Sequence, residues 1–105
     1  MELRYVDVAA VEDIPLRRGR PVWVDGRGIA LFRVGEAVHA IENSCPHAGS
    51  ALSGGTLDGC LVQCPSHGLA FDVRTGCMRG GGLAVATYPV CVDDGRVRIG
   101  MVSKV

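Results

Sequence analysis

The sequence predicts an all-β fold, a sandwich or small barrel of short strands interrupted by two polar loops. Twenty of the 105 residues are Gly or Pro, so about one residue in five breaks or turns the chain. Fifteen residues are Val, whose branched side chain favours strands. No apolar pattern with the helical repeat continues over about ten residues. A protein built mainly of long helices is therefore excluded.

Four strands are predicted in the first half of the chain, where β-branched and apolar residues alternate with polar ones: Leu3–Val8, Arg20–Val24, Gly28–Val34 and Ala37–Glu42. The stretch Ala9–Ile14 could form one helical turn, which Pro15 ends because its ring clashes with the preceding turn. Asp25-Gly26 is typical of a two-residue hairpin turn, and Gly35-Glu36 turns the chain into the fourth strand.

The second half is predicted to hold shorter strands and the two polar loops. The loops run from Asn43 to Gly55 and from Cys64 to Gly68. Turns at Thr75-Gly76 and at Asp93-Asp94-Gly95 join the last four strands in pairs. The predicted strands are Leu61–Gln63, Ala70–Val73, Cys77–Arg79, Thr87–Val92 and Val97–Ile99. The length suits one domain, so residues 1–105 are predicted to form a single domain.

Charge and composition exclude several classes of function. Eleven Lys and Arg balance eleven Asp and Glu, and only five residues are aromatic, so the basic surface and stacking platform of a nucleic-acid binder are missing. No apolar run reaches the length of a membrane span, and the first residues lack the apolar core of a signal peptide. We expect a cytoplasmic protein. Five cysteines cannot all pair, so in a reducing compartment the question is which thiols bind a metal.

The two polar loops each contain one cysteine and one histidine. The first reads Cys45-Pro46-His47-Ala48-Gly49, and the second reads Cys64-Pro65-Ser66-His67-Gly68, with sixteen residues between His47 and Cys64. Two loops that each offer a thiolate and an imidazole could enclose a metal centre from two sides. Thiolates suit zinc or sulfide-bridged iron, and imidazoles suit either metal. The donor set alone leaves a structural zinc site open beside an iron–sulfur cluster.

The residues around these ligands resemble the two cluster-binding boxes of Rieske proteins. The similarity continues through Phe71-Asp72, Thr75-Gly76, Tyr88-Pro89-Val90 and Asp94-Gly95-Arg96-Val97 to essentially the whole chain. The resemblance implies a Rieske-like β-sandwich or small barrel with two cluster-binding loops at one tip. It also implies one [2Fe–2S] cluster, with Cys45 and Cys64 on the inner iron and His47 and His67 on the outer iron.

The sequence departs from the respiratory type of Rieske protein in ways that lower the expected reduction potential. Ser50 and Ser66 stand where that type has a cross-linking cysteine in each box, so no disulfide can join the loops. Leu69 and Phe71 stand where it has hydroxyl side chains against the cluster. Because fewer hydrogen bonds then stabilise the reduced state, we expect a potential near the low end of the Rieske range, about −150 mV.

The residues exclude oxygenase and reductase chemistry within this chain. His39 is the only histidine left for a mononuclear iron site, which needs two histidines and a carboxylate. Gly80-Gly81-Gly82 lacks the pattern of a dinucleotide fingerprint. We therefore expect a carrier of electrons that is not an enzyme, has no catalytic residue and acts on no small-molecule substrate.

The resemblance implies a monomeric ferredoxin of a ring-hydroxylating dioxygenase system, as in aromatic hydrocarbon catabolism. It would carry single electrons from a flavin-dependent NAD(P)H reductase to the terminal oxygenase, with both partners docking at the His47/His67 tip and Ala48 at its edge. The alternative is the small [2Fe–2S] subunit of an NAD(P)H-dependent nitrite reductase. A structural zinc module is a third possibility.

Several residues outside the boxes carry weaker expectations. Arg17, Arg18 and Arg20 form a basic patch that could steer an acidic partner. Gly80–Gly82 stands where relatives have a Pro-containing loop over the cluster, so this segment is either a looser cover or only a hairpin connection. His39 is expected to be a structural or surface residue. The cysteines outside the boxes, Cys60, Cys77 and Cys91, are expected to be small buried apolar residues.

Overall fold

The computed structural model describes residues 2–46, 49–66 and 68–102. Within these ranges the chain forms ten strands and two single-turn 3₁₀ helices, Val11–Asp13 and Leu52–Gly54, and no α-helix. The strands are β1 (Leu3–Ala10), β2 (Arg20–Val24), β3 (Arg27–Val34), β4 (Ala37–Glu42), β5 (Thr56–Asp58), β6 (Leu61–Gln63), β7 (Ala70–Asp72), β8 (Thr87–Tyr88), β9 (Val90–Asp93) and β10 (Arg96–Val102). The all-β prediction is confirmed. No helix in the described part has the length and hydropathy of a membrane span.

The strands form three open antiparallel sheets. The outer sheet has the order β1-β10-β9, the central sheet β2-β3-β4-β8, and the loop sheet β5-β6-β7. The first ligand loop follows β4 of the central sheet, and the second joins β6 to β7 of the loop sheet. The two loops are therefore carried by different sheets, and packing between the sheets decides where the loops meet.

The middle of the central sheet is buried on both faces, because the side chains of β3 point alternately to opposite sides. From β3, Ala30 and Phe32 face one apolar core, which also receives residues of the loop sheet: Leu57, Val62 and Phe71. Ile29 and Leu31 face a second core, which receives residues of the outer sheet: Ala9, Val97, Ile99 and Met101. The molecule is thus a three-layered arrangement with the ligand loops attached to the first core.

Most predicted elements of the first half are confirmed. β2 and β4 have the predicted bounds, and the predicted helical turn is the 3₁₀ helix Val11–Asp13. Asp25 and Gly26, between β2 and β3, have φ values of 52° and 78°. Both central residues of this hairpin turn therefore occupy the left-handed region, as a type I′ turn requires.

The second half departs from the prediction in three places. Thr56–Asp58, which lies between the predicted loop and the next predicted strand and was assigned to neither, forms β5 by pairing with β6. The predicted strand Thr87–Val92 is divided at Pro89 into β8 of the central sheet and β9 of the outer sheet. Proline cannot donate to a sheet ladder, which explains the break. Cys77–Arg79 pairs with its neighbours only through isolated bridges at Cys77 and Met78.

The expectation that the cysteines outside the boxes are buried is wrong for two of them. Cys60 is half-buried, but Cys77 and Cys91 are exposed. Cys91 lies opposite Arg98 in the β9–β10 ladder, on the outward-facing side of an edge strand. A single residue type does not reveal which face of a strand it occupies. His39 is half-buried on β4 opposite Phe32, as expected for a structural residue.

Two adjacent glycines at the end of the first ligand loop test the packing of the loop sheet. A Cβ on Gly55 would overlap the carbonyl oxygen of Gln63, whereas a Cβ on Gly54 would meet nothing within 4 Å. We expect Gly55→Ala to lower the free energy of unfolding by about 1–3 kcal/mol through overpacking. Gly54→Ala is the matched control and should change it by less than about 0.5 kcal/mol. Equal stabilities of the two variants in thermal or chemical denaturation would contradict the described packing.

Burial and the positive charge of Arg74 hold the pKa of His39 below its ordinary value of 6.5, although Asp72 partly opposes them. The folded protein therefore takes up this proton at lower pH than the unfolded chain. The stabilising contribution is complete above pH 6.5 and is lost as the pH falls through the lower folded pKa. We expect the difference in unfolding free energy between the wild type and His39→Gln to shrink from pH 7.5 to pH 5.5. A difference independent of pH would contradict the assignment.

Candidate metal centre

The two predicted cysteine ligands lie in the same apolar core. Cys45 follows β4 and Cys64 follows β6, and each side chain is only 1% exposed. They pack in one cluster with Leu52, Val62 and Phe71. A buried thiol is usually an inert apolar residue. Two thiols from separate loops in one core, however, give a pair of soft ligands shielded from water.

The two ligand loops have the same backbone hydrogen-bond pattern. In the first loop Cys45 N–H donates to the carbonyl of Ser50 (2.8 Å), and Gly49 N–H donates to the carbonyl of Cys45 (2.7 Å). In the second loop Cys64 N–H donates to the carbonyl of Leu69 (2.7 Å), and Gly68 N–H donates to the carbonyl of Cys64 (3.0 Å). Each cysteine is thus held at the same position of a closed five-residue turn.

The glycine four residues after each cysteine makes this turn possible. Gly49 has φ +74° and Gly68 has φ +73°, in the left-handed region that side chains disfavour. Their role was not predicted from the sequence. The signal was nevertheless present, because both boxes repeat a glycine at the same distance from the cysteine. The two glycines therefore allow the same chain reversal after Cys45 and after Cys64.

A side-chain contact joins the two loops. The hydroxyl of Ser50 forms a hydrogen bond with the hydroxyl of Ser66, across sixteen residues of sequence. The sequence predicted that no disulfide could link these positions, and the hydroxyl pair provides a non-covalent link in its place. Since Ser50 is also bonded through its carbonyl to Cys45, the contact ties the second loop to the residue that carries the first thiol.

The two predicted histidine ligands, His47 and His67, and the neighbouring Ala48 lie outside the described residues. The described part of the chain brings together Cys45 and Cys64 from the predicted set. Among residues 2–46, 49–66 and 68–102, no group of three or more His, Cys, Asp or Glu side chains is placed to bind a metal ion. The described residues therefore supply the two thiols of the predicted centre, and the two imidazoles would have to come from His47 and His67.

The wall behind the thiols is apolar and has no hydroxyl group at the two positions singled out by the sequence. Phe71 is fully buried in the same core as the two cysteines, and Leu69 is half-buried against it. Neither side chain can donate a hydrogen bond. This arrangement agrees with the reasoning that predicted a low reduction potential.

Asp72, the charged residue of β7, is paired with an arginine. Both oxygens of Asp72 accept hydrogen bonds from the Arg74 guanidinium, at 3.1 and 2.8 Å, and the Cys60 thiol donates to it at 3.8 Å. The bonds from Arg74 hold the pKa of Asp72 below its ordinary range, although partial burial opposes this shift. The strand that follows the second ligand loop thus carries no uncompensated negative charge at Asp72.

The glycine-rich segment forms a hairpin connection. Met78 N–H donates to the carbonyl of Leu83 (3.0 Å), and Gly81 N–H donates to the carbonyl of Met78 (2.9 Å). Gly80, Gly81 and Gly82 all have positive φ, from 85° to 105°, so only glycine suits all three positions without strain. The simpler of the two expectations, a hairpin connection, describes this segment.

Comparison with known proteins agrees with the resemblance. The sequence model of the protein family described as the Rieske-like [2Fe-2S] domain matches residues 4–100. The ferredoxin component of the naphthalene 1,2-dioxygenase/salicylate 5-hydroxylase systems of Ralstonia sp. is 36% identical over 103 residues, covering 96% of this chain and 99% of that protein.

Two solved structures are similar to the whole chain. One is a complex of reduced oxygenase and oxidised ferredoxin in carbazole 1,9a-dioxygenase, with a TM-score of 0.85, 34% identity and 96% of each chain covered. The other, from Mycobacterium tuberculosis, is assigned as the small subunit of an NADH-dependent nitrite reductase. It has a TM-score of 0.87, 29% identity and coverage of 97% and 98% of the two chains.

The contact between Ser50 and Ser66 predicts that these positions can be cross-linked. The two side chains point toward each other, which is the orientation that a disulfide between these positions needs. We expect the double variant Ser50→Cys/Ser66→Cys to form this disulfide on mild oxidation. After the protein is then unfolded in denaturant, five thiols should react with a thiol reagent in the oxidised form and seven in the reduced form. The single variants are the controls and should show six thiols before and after oxidation. Seven reactive thiols in the oxidised double variant would contradict the described geometry.

Proposed function

The chain belongs to the family of Rieske-like [2Fe-2S] domains, and on this basis we propose how it binds its cluster and which partners it serves. It is a ferredoxin of the kind found in ring-hydroxylating dioxygenase systems, and it carries a single Rieske [2Fe–2S] cluster. It transfers electrons and does not itself transform a substrate. Its match to ferredoxin components spans nearly the whole length of both chains, and this observation carries the functional conclusion.

The cluster ligands that we propose are Cys45, His47, Cys64 and His67. The support for the cysteines is their burial in one core and the identical hydrogen-bond pattern of their loops. The support for the histidines is their position in the two boxes, two and three residues after the cysteines. Two thiolates and two imidazoles match the donor set of a Rieske centre.

The bound cluster supplies a one-electron redox centre. The protein holds this centre through two thiols that water does not reach, since both are 1% exposed. The backbone turns at Gly49 and Gly68 fix both thiols relative to the loop ends. Phe71 and Leu52 close the apolar wall behind them. Residues that exclude water and stay fixed keep the rearrangement that accompanies electron transfer small.

The partner that receives the electron is, on this proposal, the terminal oxygenase of a dioxygenase system, and the donor is a flavin-dependent NAD(P)H reductase. A similar ferredoxin has been seen in complex with its oxygenase, which supports the first assignment. The reductase is required because a carrier of single electrons needs a source. We further propose that the chain acts as a monomeric single domain in the cytoplasm, where reduced thiols are available for cluster assembly, and that its partners dock at the His47/His67 tip.

The nitrite reductase alternative is weaker. Shape does not separate the two, because both kinds of solved relative have TM-scores above 0.8. Sequence identity favours the dioxygenase systems, because the two ferredoxins described above are 36% and 34% identical to this chain and the nitrite reductase subunit is 29% identical. A stable complex with a large flavin and sirohaem enzyme would favour the alternative, whereas electron donation to a ring-hydroxylating oxygenase would favour the proposal.

A redox titration of anaerobically purified protein, with iron and zinc assayed on the same sample, tests the cofactor and the ligands together. We expect two irons per chain, no zinc and a potential of about −150 mV. Cys45→Ser should abolish iron binding and the visible spectrum, because it removes one thiolate from the inner iron. Cys91→Ser is the matched control, since Cys91 is exposed on β9, and should keep both irons. Bound zinc in the wild type, or iron retained in full by Cys45→Ser, would refute the assignment.

A further inference from the structure

An exposed segment with three arginines flanks the core that carries the ligand loops. We call residues 16–20 the arginine segment. Leu16 is 69% exposed, although it is apolar, and Arg17, Arg18 and Arg20 are all exposed. Single exposed leucines are ordinary. A leucine followed by three arginines within four residues has, however, the composition of a protein interface, in which arginine and large apolar residues are enriched.

The backbone of the arginine segment is fixed to the residues that follow the first ligand loop. Gly19 N–H donates to the carbonyl of Ser53 (3.1 Å), and the carbonyl of Arg17 accepts a hydrogen bond from Leu57 N–H (2.7 Å). Gly19 is buried so closely that a Cβ there would lie 2.8 Å from the ring of Phe32. The segment therefore presents its side chains from a rigid support that belongs to the same core as Cys45 and Cys64.

The three arginines have no carboxylate partner in the described part of the chain. The ion pairs found there join Arg4 to Asp25, Arg74 to Asp72, Arg96 to Asp7 and Arg98 to Asp93. The neighbouring Asp13 and Asp58 take part in none of them. A shallow groove of about 340 Å³ lies beside the segment, lined by Arg18, Arg20, Ser53 and Gly54 among others. Unpaired guanidinium groups at such a groove suit the side-chain carboxylates of another protein.

We propose that the arginine segment is a docking surface for an acidic face of the electron-accepting protein, with Leu16 as its apolar anchor. This rests on the proposed function, in which the acceptor is a terminal oxygenase. The formal net charge of the chain is zero, so the molecule as a whole exerts little attraction on a charged partner. A local cluster of unpaired arginines beside the cluster-bearing core orients the encounter, so that the electron leaves near the bound acceptor.

The acceptor of this chain is unidentified, so the test uses two small haem proteins of opposite surface charge: acidic cytochrome b5 and basic cytochrome c. The reduced holoprotein is mixed with each in a stopped-flow instrument at about 0.1 M ionic strength, where charges act over about 10 Å. Arg18→Glu reverses one charge of the segment. The control, Arg27→Glu, makes the same charge reversal beside the turn of the β2–β3 hairpin, about 13 Å along the strand direction from Arg20. Arg27 is exposed and forms no ion pair in the described part of the chain.

We expect Arg18→Glu to slow electron transfer to cytochrome b5 by about three- to tenfold and to accelerate transfer to cytochrome c. Arg27→Glu should leave both rates within about twofold of the wild type, and the effect of Arg18→Glu should vanish near 1 M salt, where charges act over about 3 Å. Leu16→Ser should slow transfer to cytochrome b5 without altering its dependence on salt, and should leave oxidation by hexacyanoferrate(III) unchanged because that small ion needs no apolar anchor.

Equal effects of Arg18→Glu and Arg27→Glu would overturn the proposal, because net charge alone would then explain them. Slower transfer to both cytochromes in Arg18→Glu would also overturn it, since reversal of a docking charge must act in opposite directions on the two acceptors. The visible spectrum and the iron content of each variant show whether the cluster is intact. A wild-type protein without a reducible iron–sulfur spectrum would instead overturn the proposed function, and the docking proposal with it.

Discussion

The burial of β3 on both faces is the constraint on which the rest of the molecule depends. Phe32 points into the core of the ligand loops, and its neighbour Leu31 points into the core of the outer sheet. A shift of one residue in the pairing of β3 would exchange these two sets of side chains. The register between β3 and β4 therefore determines which side chains enter each core. It also determines the position of Cys45, which lies three residues after β4.

The two proposed cysteine ligands are held by two turns of the same design on different sheets. Each turn is closed by two backbone hydrogen bonds and contains a glycine with positive φ. The sheets then have only to bring two finished turns together, and the shared core of Leu52, Val62 and Phe71 does so. Local geometry is thus specified by each box, and relative position by packing between the layers.

The sequence predicted the features that depend on local chemistry. The boundaries of β2 and β4 and the turn at Asp25-Gly26 follow from alternation and from the residues that left-handed positions require. The thiols of Cys45 and Cys64 were identified from their spacing and setting. Features that depend on neighbours in space were missed: β5 exists because β6 lies beside it, and Cys77 and Cys91 are exposed because of the faces that they occupy. The break at Pro89 was available from the sequence, since that residue cannot donate to a ladder.

The hydroxyl pair of Ser50 and Ser66 has a consequence for the selectivity of the redox chemistry. A cystine bridge between the loops would be a two-electron acceptor lying beside a centre that handles electrons singly. Two serine hydroxyls are neither oxidised nor reduced under the same conditions. The hydrogen bond between the loops is therefore not broken by cellular thiols or by reduction of the protein. An electron that reaches this part of the molecule has no disulfide there to reduce.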